Sequence, residues 1–201
     1  MREIDFLGVP AAVFRISFTG EPGYELHVSV DDVATLWERI WAHPAAAAMG
    51  LAPFGSQAVN ALRIEKGFKV KSDLDYAHWT EAGIEPFVAL GREGEGLAFL
   101  GRDAPPPDAG RRSAVFSIET SDAHAWSVPG DSPVVDDAGT VVGFTTTSAR
   151  GASTGRTIAL GYVRCGAGGD PVAVECYGNR WPLELLERPP VAVGGRPKKG
   201  A

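Results

Sequence analysis

The sequence predicts an α+β protein in two parts, with strands and helices in the first half and strands alone in the second. Apolar and polar residues alternate over residues 14–18, which is the period of a half-buried strand. Over residues 33–41 apolar residues recur every three to four positions, which is the period of a helix. After a proline-rich stretch at residues 104–110, only strand-like segments follow, which favours a small antiparallel barrel or sandwich.

The composition is that of a globular protein with a proper core. The chain has 201 residues, of which 44% are hydrophobic and 22% charged. Its net charge of −6 argues against an electrostatic nucleic-acid binder, because no basic surplus is present to neutralise phosphates. No run approaches the roughly 20 apolar residues that span a bilayer, and no signal-peptide core is present at the N-terminus. We therefore expect no membrane partner and a cytoplasmic location.

The N-terminal segment is predicted to form a hairpin that presents a carboxylate. Residues 19–23 supply Gly and Pro for a turn, and residues 24–28 resume an alternating apolar face after it. Glu25 and His27 fall on the opposite face. A carboxylate accepts two parallel hydrogen bonds from an amidine-like edge, such as the edge of the pterin in folates. Taken alone, Glu25 can equally be a solvated glutamate or a partner of Arg15.

Two helices are predicted next. Asp31 or Asp32 can cap a helix whose apolar stripe is interpreted as core packing rather than a ligand site; the stripe comprises Val33, Leu36, Trp37, Ile40 and Trp41. His43-Pro44 and an alanine run are expected to end this helix. A second helix is predicted from Gly55 to Lys66, with Gly67 as its stop signal.

The domain boundaries follow from the composition. We predict a first domain over residues 1–100, a linker over 101–110, a strand domain over 111–190 and a loose tail over 191–201. Turn signals such as Asp137-Ala138-Gly139 separate the strands of the second domain. Its predicted strands are Ser113–Ile118, Pro133–Val135, Val141–Thr147, Thr157–Val163 and Pro171–Cys176.

Other polar residues give weaker indications. Arg63 and Glu65 lie two apart on the second helix, so they cannot face each other and should have separate partners, with helix docking as the favoured role. His78 and Trp79 lie in a polar loop, where an aromatic ring could stack on a ligand or cover the base of the loop. The two cysteines have neither disulfide-scaffold nor metal-ligand spacing, and no metal cluster or nucleotide-binding fingerprint is found.

Five sequence strings together resemble the motifs of one protein family. They occur in the order and spacing of the aminomethyltransferase family and read SFTGEPGYEL, LWERIW, GLAPFGSQAVNALRIEKGF, DLDYAHWTEAGIEPFV and FLGRDA. The later strings VVGFTTTSAR and TIALGYV resemble the C-terminal barrel motifs of the same family. That family includes the T-protein of the glycine cleavage system. It also includes the folate-binding C-terminal regions of dimethylglycine dehydrogenase, sarcosine dehydrogenase and heterotetrameric sarcosine oxidase.

The resemblance implies a partial folate-binding domain followed by a small β-barrel, with tetrahydrofolate as cofactor. By this resemblance, Glu25 is the carboxylate that binds the pterin. Tyr24 is the aromatic residue of the motif and is expected beside the ligand strand or in the core. Arg63 is a motif residue with a role that is more structural than ligand-contacting. Where the glycine-cleavage branch has a folate-holding arginine, this chain has Val59, so it resembles the dehydrogenase branch more strongly. A cysteine-bearing KGCY-type motif, typical of RNA-modifying and iron–sulfur-assembly relatives, is replaced by EKGF at residues 65–68.

The resemblance also implies what this chain lacks. Family members carry a long N-terminal portion with further folate contacts and an aspartate thought to assist one-carbon transfer, so no catalytic residue is assigned here. FAD is expected only in a missing upstream domain or a partner flavoprotein. We therefore expect a C-terminal fragment that is not active alone, and the alternative is a noncatalytic subunit that folds with a partner without binding folate.

Overall fold

The computed structural model describes residues 2–75, 77–88, 100–102, 110–121, 128–166 and 168–192. It confirms an α+β fold with a closed barrel in the second part. The first part has strands β1–β3 and helices α1–α5, and the second has strands β4–β9. The bounds are β1 Arg2–Phe6, β2 Val9–Phe14, β3 Glu25–His27, α1 Val33–Ala42, α2 Pro44–Ala48, α3 Ser56–Glu65, α4 Lys71–Leu74, α5 Trp79–Ala82, β4 Arg111–Ile118, β5 Pro133–Val135, β6 Val141–Arg150, β7 Thr157–Arg164, β8 Ala173–Cys176 and β9 Asn179–Leu186.

The first part begins with an antiparallel sheet in the order β1-β2-β3. A tight turn at Leu7-Gly8 joins β1 to β2, with φ of 55° and 76°, and the side chain of Asp5 accepts the Gly8 N–H. The prediction of a strand over residues 14–18 is wrong, because β2 ends at Phe14, which pairs with Glu25. Residues 15–24 instead form a long connection, called here the ligand loop. Its Gly20 is buried against Lys66 and Phe68, just after the end of α3.

Helix α1 follows the predicted period, but its apolar stripe is packed only in part. Leu36 is buried and two more of the five stripe residues are partly buried, whereas Trp37 is 58% exposed, so the interpretation as core holds for only part of the stripe. The alanine run does not simply end the helix. It forms α2, because Pro44 fits the first helical position and the His43 ring accepts the Ala45 N–H as a cap.

Helix α3 confirms the second predicted helix. Gly55 precedes it and Gly67 follows it in the left-handed conformation, with φ of 75°. The polar segment after it contains two single-turn helices, α4 and α5, rather than a loop alone. His78 caps α5, because its ring accepts the backbone N–H of Thr80 while the backbone N–H of His78 donates to the Glu81 carboxylate.

The second part is a closed antiparallel barrel in the order β4-β7-β6-β5-β8-β9, with β9 pairing back onto β4. The five predicted strands are all present, with ends shifted by a few residues. The sixth strand, β9, is absent from the predicted set because Pro182 lies inside it and a proline argues against a strand. Phe116 and Val134 lie fully buried at the centre of the barrel.

Apolar burial is concentrated in the barrel. In the first part, many large apolar side chains remain open to solvent, including Ile4, Ile16, Phe18, Val30, Val33, Trp37, Met49, Leu51, Phe54 and Phe87. Others are buried, among them Val9 of β2, Leu36 of α1 and Ile64 of α3. Ile64 packs on Ile158 and Leu160 of β7, so α3 joins the first part to the barrel.

Some predicted boundaries fall outside the described residues. Residues 103–109 of the predicted linker and residues 193–201 of the predicted tail belong to this group. Val191, the first residue of that tail, is buried, and its N–H donates to the carbonyl of Glu65. Among the helices described, none is long and apolar enough to cross a bilayer.

Candidate functional site

Glu25 lies on the open face of β3, as the two-residue period predicts. Its side chain is 52% exposed, and its Oε2 lies 3.0 Å from His27 Nε2 on the same face. The other oxygen, Oε1, has no partner among the described residues. The His27 ring stacks at a tilt on Phe14, with ring centroids 4.7 Å apart. This strand therefore presents a carboxylate that is oriented by a histidine and still able to accept hydrogen bonds.

A broad groove of about 580 Å³ lies next to this strand. His27 lines it together with apolar residues of β1 and β2 and with the acidic side chains of Glu3 and Asp5, and Glu25 is not among its lining residues. Tyr24 directly precedes β3 and is 67% exposed, so its side chain lies outside the core. The groove is an open, acidic and partly apolar surface beside His27, and Glu25 neighbours His27 on the same face of β3.

Arg63 lies away from β3, in the last turn of α3. Its side chain is 3% exposed, and its ion pair with Asp73 has an Nη1–Oδ2 distance of 2.7 Å. The guanidinium also donates to Asn60 Oδ1, the Phe68 carbonyl and Thr147 Oγ1. These contacts agree with the structural interpretation of this motif residue. A direct contact between Arg63 and folate stays a prediction that the geometry does not favour.

Glu65 has separate partners, as the helical spacing requires. Its fully buried carboxylate accepts the backbone N–H groups of Ser153 and Thr154, at 3.0 Å and 2.8 Å from Oε1. Gly151 makes room for it, because a Cβ at that position would lie 2.3 Å from Oε1. Glu65 therefore anchors the end of α3 to the loop between β6 and β7.

Asp73 completes this junction between the two parts. Its carboxylate also accepts the Val70 N–H and the Thr146 hydroxyl, and its backbone carbonyl accepts the Tyr162 hydroxyl at 2.6 Å. Burial raises the pKa of Tyr162 to about 12, and the nearby Asp73 adds to the rise. Sequence reasoning missed Asp73 and Tyr162, because these partners are 89 residues apart and no spacing pattern links them.

A second connection joins α5 to the barrel. Both oxygens of Glu81 accept from the Arg111 guanidinium, at 3.0 Å and 3.1 Å. This hydrogen bonding lowers the pKa of Glu81 below its ordinary value, against the opposing effect of desolvation. Arg63, Glu65, Asp73 and Glu81 therefore act in the packing of the two parts, whereas Glu25 on β3 is half-exposed.

The remaining polar candidates do not assemble into a reactive site. His78 caps α5, and its ring lies 5.1 Å from the Trp79 ring. Cys165 is exposed and Cys176 partly buried, and both are free thiols. Within the described residues, no group of three or more His, Cys, Asp or Glu side chains could hold a metal ion.

Comparison with known proteins shows where this architecture occurs. The GCVT N-terminal domain model matches residues 1–92, and the glycine cleavage T-protein C-terminal barrel domain model matches residues 111–191. Mouse mitochondrial dimethylglycine dehydrogenase is 33% identical over 189 residues, covering 90% of this chain and 21% of that protein. The aminomethyltransferase of Streptomyces avermitilis is 33% identical over 192 residues, covering 90% of this chain and 50% of that protein.

A solved structure agrees on the fold. Aminomethyltransferase T of the glycine cleavage system from Bartonella henselae superposes with a TM-score of 0.68 at 21% identity, over 93% of this chain and 51% of that one. The chain thus spans about half the length of the aminomethyltransferases and about a fifth of the dehydrogenase. From both domain models and the matching barrel, we conclude that the chain belongs to the aminomethyltransferase (glycine cleavage T-protein) family.

Proposed function

We propose that this chain is a tetrahydrofolate-binding, aminomethyltransferase-like module of one-carbon metabolism, of the dimethylglycine and sarcosine dehydrogenase type. The observation that supports this most is the state of the motif carboxylates. Glu65 is fully buried and bonded to the barrel, and Glu21 is paired with Lys66, whereas Glu25 is half-exposed and accessible to a ligand. Glu25 is thus the carboxylate suited to a flat, hydrogen-bonding ligand.

The residues on β3 fit the chemistry of a pterin. The amidine-like edge of the ring carries adjacent N–H donors, and an ionised carboxylate accepts them in parallel. Glu25 would hold that edge, with His27 fixing its orientation, and the exposed ring of Tyr24 would lie beside it. When bound, tetrahydrofolate supplies the N5 nitrogen that takes up the one-carbon unit. Glu25 orients the ring in this proposal and does not act as the base, so this chain contributes positioning.

We further propose that the activity needs additional polypeptide. The first part carries the exposed apolar side chains named above, and such surfaces are usually covered by a partner. Both edges of the sheet are also open, since β1 and β3 each pair with β2 alone among the described strands. The cover would be the portion of the fold that this chain does not span, or a flavoprotein chain. FAD would bind there, and a cytoplasmic location stays a prediction.

Isothermal titration with tetrahydrofolate tests the proposal. The titration uses the full chain, alone and with a polypeptide that corresponds to the preceding half of the aminomethyltransferase relatives. Hydrogen bonds to a charged group contribute about 1.5–3 kcal/mol each, so we expect Glu25→Gln to weaken binding about 10- to 100-fold. The matched control is Glu187→Gln, which changes an exposed glutamate after β9 and should leave binding unaltered. An absence of binding under both conditions would overturn the proposal.

The second candidate is a noncatalytic subunit that associates with a partner chain without binding folate. The exposed apolar side chains of the first part favour this candidate equally, because they require a cover but not a ligand. Sedimentation of the chain with the added polypeptide separates the two. Association without any folate binding supports the subunit, and folate binding that depends on Glu25 excludes it.

A further inference from the structure

Lys66 immediately follows the helix end that is anchored to the barrel, and its side chain points away from the barrel partners. The side chain is fully buried, and its ammonium lies 2.6 Å from Oε1 of Glu21 in the ligand loop. No acceptor in hydrogen-bonding geometry reaches this ammonium among the described residues. The ion pair with Glu21 is therefore what the described residues offer to offset the burial of this charge.

The ligand loop is shaped to receive this lysine. Gly20 is buried with a φ of 72°, and a Cβ there would lie 2.3 Å from Lys66 Cδ and 3.3 Å from the Phe68 ring. The aliphatic stem of Lys66 therefore lies directly on the loop backbone, where a side chain at position 20 would displace it. The contact includes both backbone packing and charge pairing.

The chain on both sides of Lys66 is held by hydrogen bonds of buried side chains. Glu65 bonds to the loop at residues 153–154, and the Arg63 guanidinium bonds to the Phe68 carbonyl, so both flanks of Lys66 are tied to buried groups. On the far side, Glu21 is four residues before Glu25 and belongs to the connection that leads into β3. A continuous chain of contacts thus runs from the barrel through Lys66 to the strand that carries the ligand carboxylate.

The geometry points to Lys66 and Glu21 as a positioning pair that fixes the ligand loop, and with it Glu25, relative to the barrel. This assigns the barrel a role in ligand recognition through the position of β3. Fixing the loop is a property of the fold alone, and the step from the fixed loop to ligand affinity rests on the proposed function.

Amide hydrogen exchange on the full chain tests the fixing of the loop. We compare Lys66→Met, which keeps the stem but removes the charge, with Glu21→Gln and with the reversed pair Glu21→Lys/Lys66→Glu. We expect exchange over residues 15–24 to accelerate at least tenfold in Glu21→Gln, a change that corresponds to about 1.4 kcal/mol. Lys66→Met should accelerate the exchange less. The Glu21 carboxylate that this variant leaves unpaired is 35% exposed and can be hydrated, whereas Glu21→Gln leaves the buried ammonium of Lys66 without its counter-charge. The reversed pair should recover part of the protection.

Lys71→Met is the matched control, since its ion pair with Asp75 has the same 2.6 Å distance but the lysine is 86% exposed. This variant should leave exchange over residues 15–24 unchanged. Equal exchange in wild type, Glu21→Gln and Lys66→Met would overturn the positioning role, as would an equal acceleration in Lys71→Met or uniform acceleration throughout the barrel.

Tetrahydrofolate affinity is measured on the same variants. A fall in affinity that follows the exchange rate, with recovery in the reversed pair, supports positioning of the ligand strand. Unchanged affinity in both single variants overturns that step. If wild type binds no folate, the proposed function fails by itself, and the exchange rates still decide whether Lys66 and Glu21 fix the loop.

Discussion

Replacing Arg63 with methionine tests the junction between the two parts most severely. The substitution keeps the aliphatic stem but removes the guanidinium, so Asp73 loses its cation while its side chain remains 1% exposed. Removing one partner of a buried ion pair costs about 3–5 kcal/mol, because the other charge is left uncompensated. A protein of this kind has a total stability of about 5–15 kcal/mol, so the loss is a large share of it.

Equilibrium urea unfolding, followed by far-ultraviolet circular dichroism, measures this loss. We expect the free energy of unfolding of Arg63→Met to fall by about 3–5 kcal/mol, and the melting temperature to fall by roughly 6–20 °C. Lys71→Met is the control, because it removes an equally short ion pair of an exposed lysine and should cost less than about 1 kcal/mol.

A double-mutant cycle with Asp73→Asn identifies the interaction itself. If the two side chains act as one unit, the double variant loses clearly less stability than the sum of the single variants. The reasoning is refuted if Arg63→Met loses less than about 1 kcal/mol, or if the effects of the two single substitutions simply add.

Three further outcomes are expected from the titratable groups. The pKa of Glu81 is lowered by its hydrogen bonds from Arg111, so the stability it contributes is present above its ordinary pKa and lost as pH falls through the lowered value; Glu81→Gln should flatten that acid slope in urea titrations. The pKa of Tyr162 is raised by burial to about 12, so stability should decline between about pH 10 and 12 as the unfolded state ionises first. Tyr162→Phe should reduce that alkaline decline, and an unchanged decline contradicts the assignment. Brief alkylation near neutral pH with peptide mapping should modify exposed Cys165 before Cys176, whose thiol pKa is raised by burial, and the reverse order would be inconsistent with the fold.

The sequence predicts those features that depend on local periodicity. The apolar recurrence in α1 and the glycine stop after α3 each reflect one element and its neighbours. The common face of Glu25 and His27 is predictable for the same reason, because successive strand residues point to opposite faces.

The features that escape prediction depend on partners far along the chain. Arg63 meets Thr147 across 84 residues of sequence, and no pattern around either residue indicates the contact. The start of the ligand loop alternates like a strand, but β2 ends at Phe14 and the loop packs on Lys66 through Gly20. The partly exposed stripe of α1 shows a third limit: periodicity identifies an apolar face but not what covers it.

The proposed function depends on the Glu25 carboxylate binding the amidine edge of the pterin. The most direct measurement is a cycle of binding affinities, in which wild type and Glu25→Gln are each titrated with tetrahydrofolate and with its 2-desamino analogue. Removing the 2-amino group deletes one of the two donors that face the carboxylate. We predict that the analogue binds wild type at least tenfold more weakly than tetrahydrofolate, and that this difference largely disappears in Glu25→Gln. An equal loss of affinity in both proteins, or no binding by wild type, would contradict the account.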